Sequence, residues 1–363
     1  VPYVPKLVLL IEKEVMAMAI KQGSGNLLLA DTDAIVNTVN TVGVAGKGIA
    51  LQFRQAYPEN FRAYERAAKR GEVVPGKMFV TSTGSIQPPH YIVNFPTKRH
   101  WRGRSRIEDI RTGLVDLVRV IKEYEMSSIA VPPLGCGNGG LDWEHVRPMI
   151  VDALGSLSVE VLLYAPTGAP AADEMPIRTK RPAMTLGRAA LLLLLKQYRE
   201  ADQFRLSALE VQKLAYFLQE SGQPLRLEFV RAKYGPYAEN LNHVLRAIDG
   251  HYIRGFGDRS REPRIGLVDG ASLEAASFLG SHHATRKHLQ RVSNLVSGWQ
   301  TPYSLELLAT THWALTRAKQ LTTRDQIYAY VASWTPRKAR LFKPQQIDRA
   351  IDHLAACGFA RGV

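Results

Sequence analysis

At 363 residues, 45% hydrophobic and 22% charged, the chain has ordinary globular composition and the length for two domains. Its longest apolar runs, residues 7–11 and 189–195, are too short to cross a bilayer. No leader pattern opens it, and the two cysteines, Cys136 and Cys357, offer neither a disulfide framework nor zinc spacing, so a cytoplasmic protein without membrane contact is expected. The net charge of +14 is uneven: residues 1–170 carry 19 Lys and Arg against 16 Asp and Glu, and residues 171–363 carry 28 against 17, which points to a polyanionic partner, either nucleic acid or an acidic protein face.

In chain order, residues 1–20 fit no clear pattern and are set apart as an extension, with 4–11 readable as an edge strand. Short buried strands are predicted at 27–29 and 34–37, then helices at 49–57 and 58–70, with Pro58 in the first turn. Strands follow at 77–81 and 90–95, separated by a turn region ending in Pro88-Pro89. The spacing of Ile107, Ile110, Leu114, Leu117, Val118 and Ile121 predicts a helix over 107–124. Strands at 128–131 and 159–164 flank a helix at 142–154. This alternation predicts an α/β fold, a mixed sheet sandwiched by helices, with ligand loops beyond the carboxyl ends of the strands. Pro166, Pro170, Pro176 and Pro182 mark a linker over 167–183. Beyond it, helices are predicted at 186–198, 207–220, 237–249, 273–278, 283–296, 305–319, 323–332 and 344–357, a mainly α-helical domain over 184–363.

Three segments carry chemistry. Residues 37–50 place Gly43, Gly46, Lys47 and Gly48 between a strand and a helix, a junction that opens backbone N–H groups toward an anion such as a diphosphate. Lys47 is followed by Gly48 and not Ser or Thr, which disfavours an ordinary P-loop. Residues 132–143 hold Gly135, Gly137, Gly139 and Gly140, again between a strand and a helix, and two such loops can grip a phosphate pair from both sides. Their spacing departs from that of a dinucleotide-binding Rossmann domain, and Cys136 among them reads as an inert, loop-packed thiol. The third segment, residues 94–106, sets Lys98, Arg99, Arg102, Arg104 and Arg106 around His100 and Trp101, which suits phosphate neutralisation and base stacking. A solvated loop accounts for that composition equally well. No histidine or acidic spacing suggests a metal site, and no cofactor is expected.

The segments Asn26-Leu27-Leu28, Asp33-Ala34-Ile35-Val36-Asn37-Thr38-Val39-Asn40, Gly46-Lys47-Gly48-Ile49-Ala50 and Leu134-Gly135-Cys136-Gly137-Asn138-Gly139-Gly140-Leu141 resemble a macrodomain of the DarG antitoxin type. The likeness spans about residues 21–166. It implies hydrolysis of ADP-ribose from thymidine bases of single-stranded DNA, reversing a DarT-like toxin, with ADP-ribose as ligand and product. Lys98, in Phe-Pro-Thr-Lys, takes the catalytic role. Asn26, Asn40, Gly46, Lys47, Gly48, Thr97, Gly135, Cys136, Gly137, Asn138, Gly139, Gly140 and Leu141 are expected around the ligand, and Arg99, His100, Trp101, Arg102 and Arg104 along the DNA. Asn26 replaces an aspartate common at the adenine end. Relatives that act on protein carboxylates carry an aspartate in the second glycine loop where this chain has Asn138-Gly139-Gly140. Hydrolysis of ADP-ribosylated protein side chains, or reading ADP-ribose without catalysis, remain the alternatives. Physically, a lysine beside the glycosidic bond serves as nucleophile if desolvation or a neighbouring cation such as Arg99 lowers its pKa, or as a proton donor to the leaving base.

In the second half, Val211-Gln212-Lys213-Leu214-Ala215-Tyr216-Phe217-Leu218-Gln219 and Lys233-Tyr234-Gly235-Pro236-Tyr237 read as core and connector, with Gly235-Pro236 starting the next helix. They resemble the helical domain of proteolytic-adaptor-type antitoxins. The resemblance implies a toxin-binding domain, with Arg231, Lys233, Arg254 and Arg259 as candidate contacts; DNA binding is the rival use of its charge.

Overall fold

A computed structural model describes residues 20–167, 175–198, 206–257, 264–318 and 321–360. The strand expected at 4–11, and Pro170 and Arg259, lie outside the described residues. The chain divides into two units between Lys180 and Arg181.

In the first unit, strands β1 (Ile20–Gln22), β2 (Ala34–Asn40), β3 (Phe79–Ser82), β4 (Tyr91–Lys98), β5 (Ser128–Val131) and β6 (Glu160–Leu163) form one sheet in the order β1-β6-β5-β2-β4-β3. All neighbours run parallel except β3, which is antiparallel to β4. Six of the seven residues of β2 are buried, the signature of a central strand covered on both faces. Ile35 packs against Phe53, Ala56 and Tyr57 from helices α1 (Gly48–Ala56) and its extension toward α2 (Pro58–Lys69). Ala34 and Val36 face α3 (Ile107–Glu123) and α4 (Trp143–Leu154) through Ile110, Leu114, Val146 and Ile150. A mixed sheet between helical layers is thus formed, as expected.

Two local expectations are corrected. Residues 27–29 form a 3-10 turn and not a strand, because the Asn26 side chain accepts from Leu28 N at 3.0 Å and leaves Leu29 59% exposed. Part of the stretch expected as a linker packs on the first unit: Met175 joins the core beside Leu28, and Arg178 N donates to Gln55 O at 2.9 Å.

The second unit is built on α6 (Ala208–Glu220), whose residues 210–218 are all buried, as a helix surrounded by others must be. A capping box of Ser207 and Glu210 starts it. Around it lie α5 (Leu186–Tyr198), α7 (Glu239–Ile248), α8 (Ala271–Leu279), α9 (His283–Val296), α10 (Pro302–Arg317), α11 (Arg324–Ala332), α12 (Pro336–Leu341) and α13 (Pro344–Ala356). Strands β7 (Leu206–Ser207), β10 (Ile253–Arg254) and β11 (Arg264–Leu267) form a small antiparallel sheet, and β8 (Phe229–Ala232) pairs with β9 (Gly235–Ala238) as a hairpin. Gly235-Pro236 therefore lies in a strand and does not open a helix. Pro236 has no N–H to give a ladder, and its carbonyl instead accepts from the buried amine of Lys213 at 2.6 Å.

Candidate active site

Because β2, β4 and β5 run parallel, the loops after all three leave the same end of the sheet. β4 runs on to Lys98, further than its hydrophobic pattern suggested. A register shift between Val39 and Asn40 pairs Asn40 with Lys98. Thr41 pins the strand end, with its N–H on Lys98 O at 3.0 Å and its hydroxyl on Arg99 O at 2.6 Å.

Asn40 spends its side chain on the first glycine loop. Its amide donates to Val44 O at 2.6 Å, and its oxygen accepts from the N–H groups of Val42 and Val44 at 3.1 and 3.3 Å. Tyr64 backs it, donating its hydroxyl to Asn40 O at 2.6 Å; burial pushes that phenol up to about 12. The loop delivers Gly46 and an exposed, extended Lys47 to the start of α1, which has no side-chain cap. Gly48 opens this helix at φ +60°, a left-handed conformation that favours glycine. The first N–H groups of α1 are thus left for an anion.

The second glycine loop folds on itself. Leu141 N donates to Gly135 O and Gly140 N to Gly137 O, both at 3.1 Å. Gly139 is buried with no room for a side chain: a Cβ there would stand 2.2 Å from Gly135 O. Gly137, Asn138 and Gly140 are exposed. Cys136 donates its thiol to Leu134 O at 3.4 Å, and burial, with Asp142 nearby, pushes it up to about 11, so it stays protonated at neutral pH.

Lys98 joins the loops. Its Nζ donates to Asn138 O at 2.5 Å, and burial lowers its pKa from the ordinary lysine value. Arg99 is not the cause. Its guanidinium is committed to Asp109 at the start of α3, at 3.2 and 3.0 Å, so of desolvation and a neighbouring cation, the two causes expected to lower the lysine, desolvation is the one at work. Thr97 is buried, its hydroxyl 3.5 Å from Val39 O, and so supports the strand.

Past Lys98 the chain forms an exposed loop. Trp101 is 42% exposed, with the His100 ring at 5.5 Å and the Arg102 guanidinium 4.4 Å from its centroid. Arg104 is exposed beside them. Asn26 caps the 3-10 turn, its side-chain oxygen accepting from Leu28 N at 3.0 Å and its amide 3.6 Å from Met175 Sδ.

Sequence reasoning missed Thr41, Tyr64 and Asp109, which hold the site from positions 24 to 58 residues away from, or on a different element than, their targets. It also missed a buried amide cluster in which Asn94 bonds Asn37 and Asn60 at 2.9 and 2.7 Å under β4. No local pattern marks such partners.

Over 339 residues the chain is 48% identical to the DNA ADP-ribosyl glycohydrolase of Thermus aquaticus, covering 93% of each. It is 43% identical over 353 residues to that of Mycobacterium tuberculosis, covering 92% of this chain and 99% of the relative. The chain belongs to the DNA ADP-ribosyl glycohydrolase family. Residues 36–150 match the Macro domain family. Among solved structures, the macrodomain of Mycobacterium tuberculosis DarG is 59% identical, with 41% of this chain and 98% of that one covered at a TM-score of 0.40. The macrodomain of Thermus aquaticus DarG is 53% identical, with 40% and 98% covered at 0.39. As a member of the family the chain is a hydrolase of the N-glycosidic bond to ADP-ribose. No helix among the described residues is long and apolar enough to cross a membrane.

Proposed function

We propose that the protein releases ADP-ribose from thymidine bases of single-stranded DNA through Lys98, undoing the work of a DarT-like toxin that its helical half also binds. The observation that carries this reading is the Lys98 amine, partly desolvated and held at the second glycine loop, with the exposed Trp101 platform on the loop that follows it. The diphosphate lies on the glycine-loop amides, with Gly46, Gly48 and the uncapped end of α1 on one side and residues 137–140 on the other. The strand runs over Trp101, Arg102 and Arg104, which stack on a base and neutralise phosphates.

In the reaction the bond from the anomeric carbon to the base nitrogen breaks, the oxygen of water takes its place on carbon, and the proton of water ends on the base. The neutral Lys98 amine supplies a nucleophile at the anomeric carbon; the protonated form supplies charge or a proton to the departing base. These steps call on no metal or cofactor. The test is release of ADP-ribose from a thymidine-ADP-ribosylated single-stranded oligonucleotide by wild type and by Lys98→Ala. Release by both at equal rates would remove Lys98 from the mechanism.

For the second half, the near full-length likeness to the two glycohydrolases includes the helical unit, and a relative from Thermosipho africanus is named a transferase–glycohydrolase fusion protein, 32% identical over 39% of this chain. A Lys98→Ala chain that still blocks DNA modification by the partner transferase at equimolar ratio supports sequestration. Loss of all inhibition in that variant argues for hydrolysis alone.

A further inference from the structure

Ser105 stands where the exposed loop after Lys98 turns into α3. Its backbone N–H donates to Gly139 O at 3.0 Å, one residue beyond the carbonyl that holds the Lys98 amine. Its side chain is only 7% exposed and presses on the second glycine loop: a Cβ built on Gly135 would lie 3.1 Å from Ser105 Cβ, and one on Gly139 would lie 2.3 Å from Ser105 Oγ. The hydroxyl has no hydrogen-bond partner among the described residues. The contacts of Ser105 with the loop are thus packing and one main-chain hydrogen bond.

We infer that Ser105 is a positioning residue for Lys98, a wedge that sets the Asn138–Gly139 segment so that the Asn138 carbonyl stands where it holds the lysine amine. The inference rests on the role proposed above for Lys98. Ser105 is one of the neighbours that keep positions 135 and 139 glycine, beside Leu141 Cδ1, 2.8 Å from a Cβ at 135, and the Gly135 carbonyl, 2.2 Å from one at 139. Both ends of the 98–105 loop are clasped to adjacent residues, Lys98 to Asn138 and Ser105 to Gly139.

The test is steady-state release of ADP-ribose from the same oligonucleotide by the full chain. Ser105→Leu overfills the wedge and Ser105→Gly empties it. Each is expected to lower kcat by roughly 10- to 100-fold with KM nearly unchanged, since a misplaced reacting group costs rate and not binding. The pH midpoint of kcat should move upward, toward that of an ordinary lysine, as Lys98 is released from its half-buried position. Ser105→Ala keeps the Cβ that faces Gly135 and loses the hydroxyl that faces Gly139, so its kcat should fall between those of wild type and Ser105→Gly. If Ser105→Leu does not fold, Ser105→Gly carries the test. A folded Ser105→Gly protein with the wild-type kcat and pH profile overturns the inference, as does a loss spread equally over kcat and KM with no movement in pH. No release by the wild type would overturn the reading of Lys98 and this inference with it.

Discussion

Arg99 grips Asp109 with two nitrogens, Nε to Oδ2 at 3.2 Å and Nη2 to Oδ1 at 3.0 Å, from the position next to Lys98. The pair ties the end of β4 to the first turn of α3, and Asp109 is buried while Arg99 stays exposed. Removing the arginine strands a buried carboxylate. Arg99→Ala should therefore lower the thermal midpoint, and the pH at which Lys98 titrates should stay where it is, because burial and not Arg99 sets it. A displaced pH profile would return Arg99 to the role of tuning cation.

The two uses of Lys98 separate by substitution. Lys98→Ala is expected to cut ADP-ribose release by about 100-fold or more. Lys98→Arg keeps the positive charge but no longer offers a free amine at neutral pH. Activity near that of the alanine variant marks a nucleophile. Recovery of about a tenth or more of the wild-type rate marks electrostatic or proton support of the leaving base. Single-turnover rates on the modified oligonucleotide decide between them.

Trp101 should matter to DNA and not to ADP-ribose. A stacked base is worth about 1–3 kcal/mol, so Trp101→Ala should raise KM for the single-stranded substrate roughly 5- to 150-fold. Affinity for free ADP-ribose, measured by calorimetry, should stay unchanged. Arg102→Ala and Arg104→Ala should each flatten the salt dependence of strand binding.

Gly48→Ala tests the anion end of α1. The φ of +60° costs a side-chain-bearing residue about 1–2 kcal/mol. If the chain relieves that strain by turning the first N–H groups away, ADP-ribose affinity falls by a factor of about 10, read by calorimetry.

In the second unit, burial pulls Lys213 down to about 7, with Lys338 adding to the pull and Glu306 opposing it. Its folded value lies below its unfolded one, so between about pH 7 and 10 the unfolded chain holds the extra proton. Stability from this residue is therefore full above the unfolded value, falls as pH drops toward 7, and is level below that. Lys338, also lowered by burial, adds in the same direction. Lys213→Met should flatten the rise of the thermal midpoint between pH 7 and 9.5, followed by tryptophan fluorescence.

Much of this protein was legible along the chain. The periodic apolar positions of residues 107–124 mark α3 because one helical face must be buried, and the strand at 128–131 and the helices at 186–198 and 283–296 agree with their patterns to the residue. The glycine runs and the Phe95-Pro96-Thr97-Lys98 segment drew attention to the site because backbone freedom and charge are written in residue type. What the chain could not show was pairing across distance. Residues 27–29 look like a strand until the Asn26 cap is seen, Gly235-Pro236 looks like a helix start until Lys213 reaches the Pro236 carbonyl, and Arg99 looks like a tuning cation until Asp109 claims it. The second glycine loop lies about 40 residues beyond Lys98, and only the sheet, by running β2, β4 and β5 in parallel, brings that amine to the Asn138 carbonyl. Local propensity acts over a few neighbours, whereas the direction of a lysine and the burial that lowers its pKa are set by whichever distant segments pack around it.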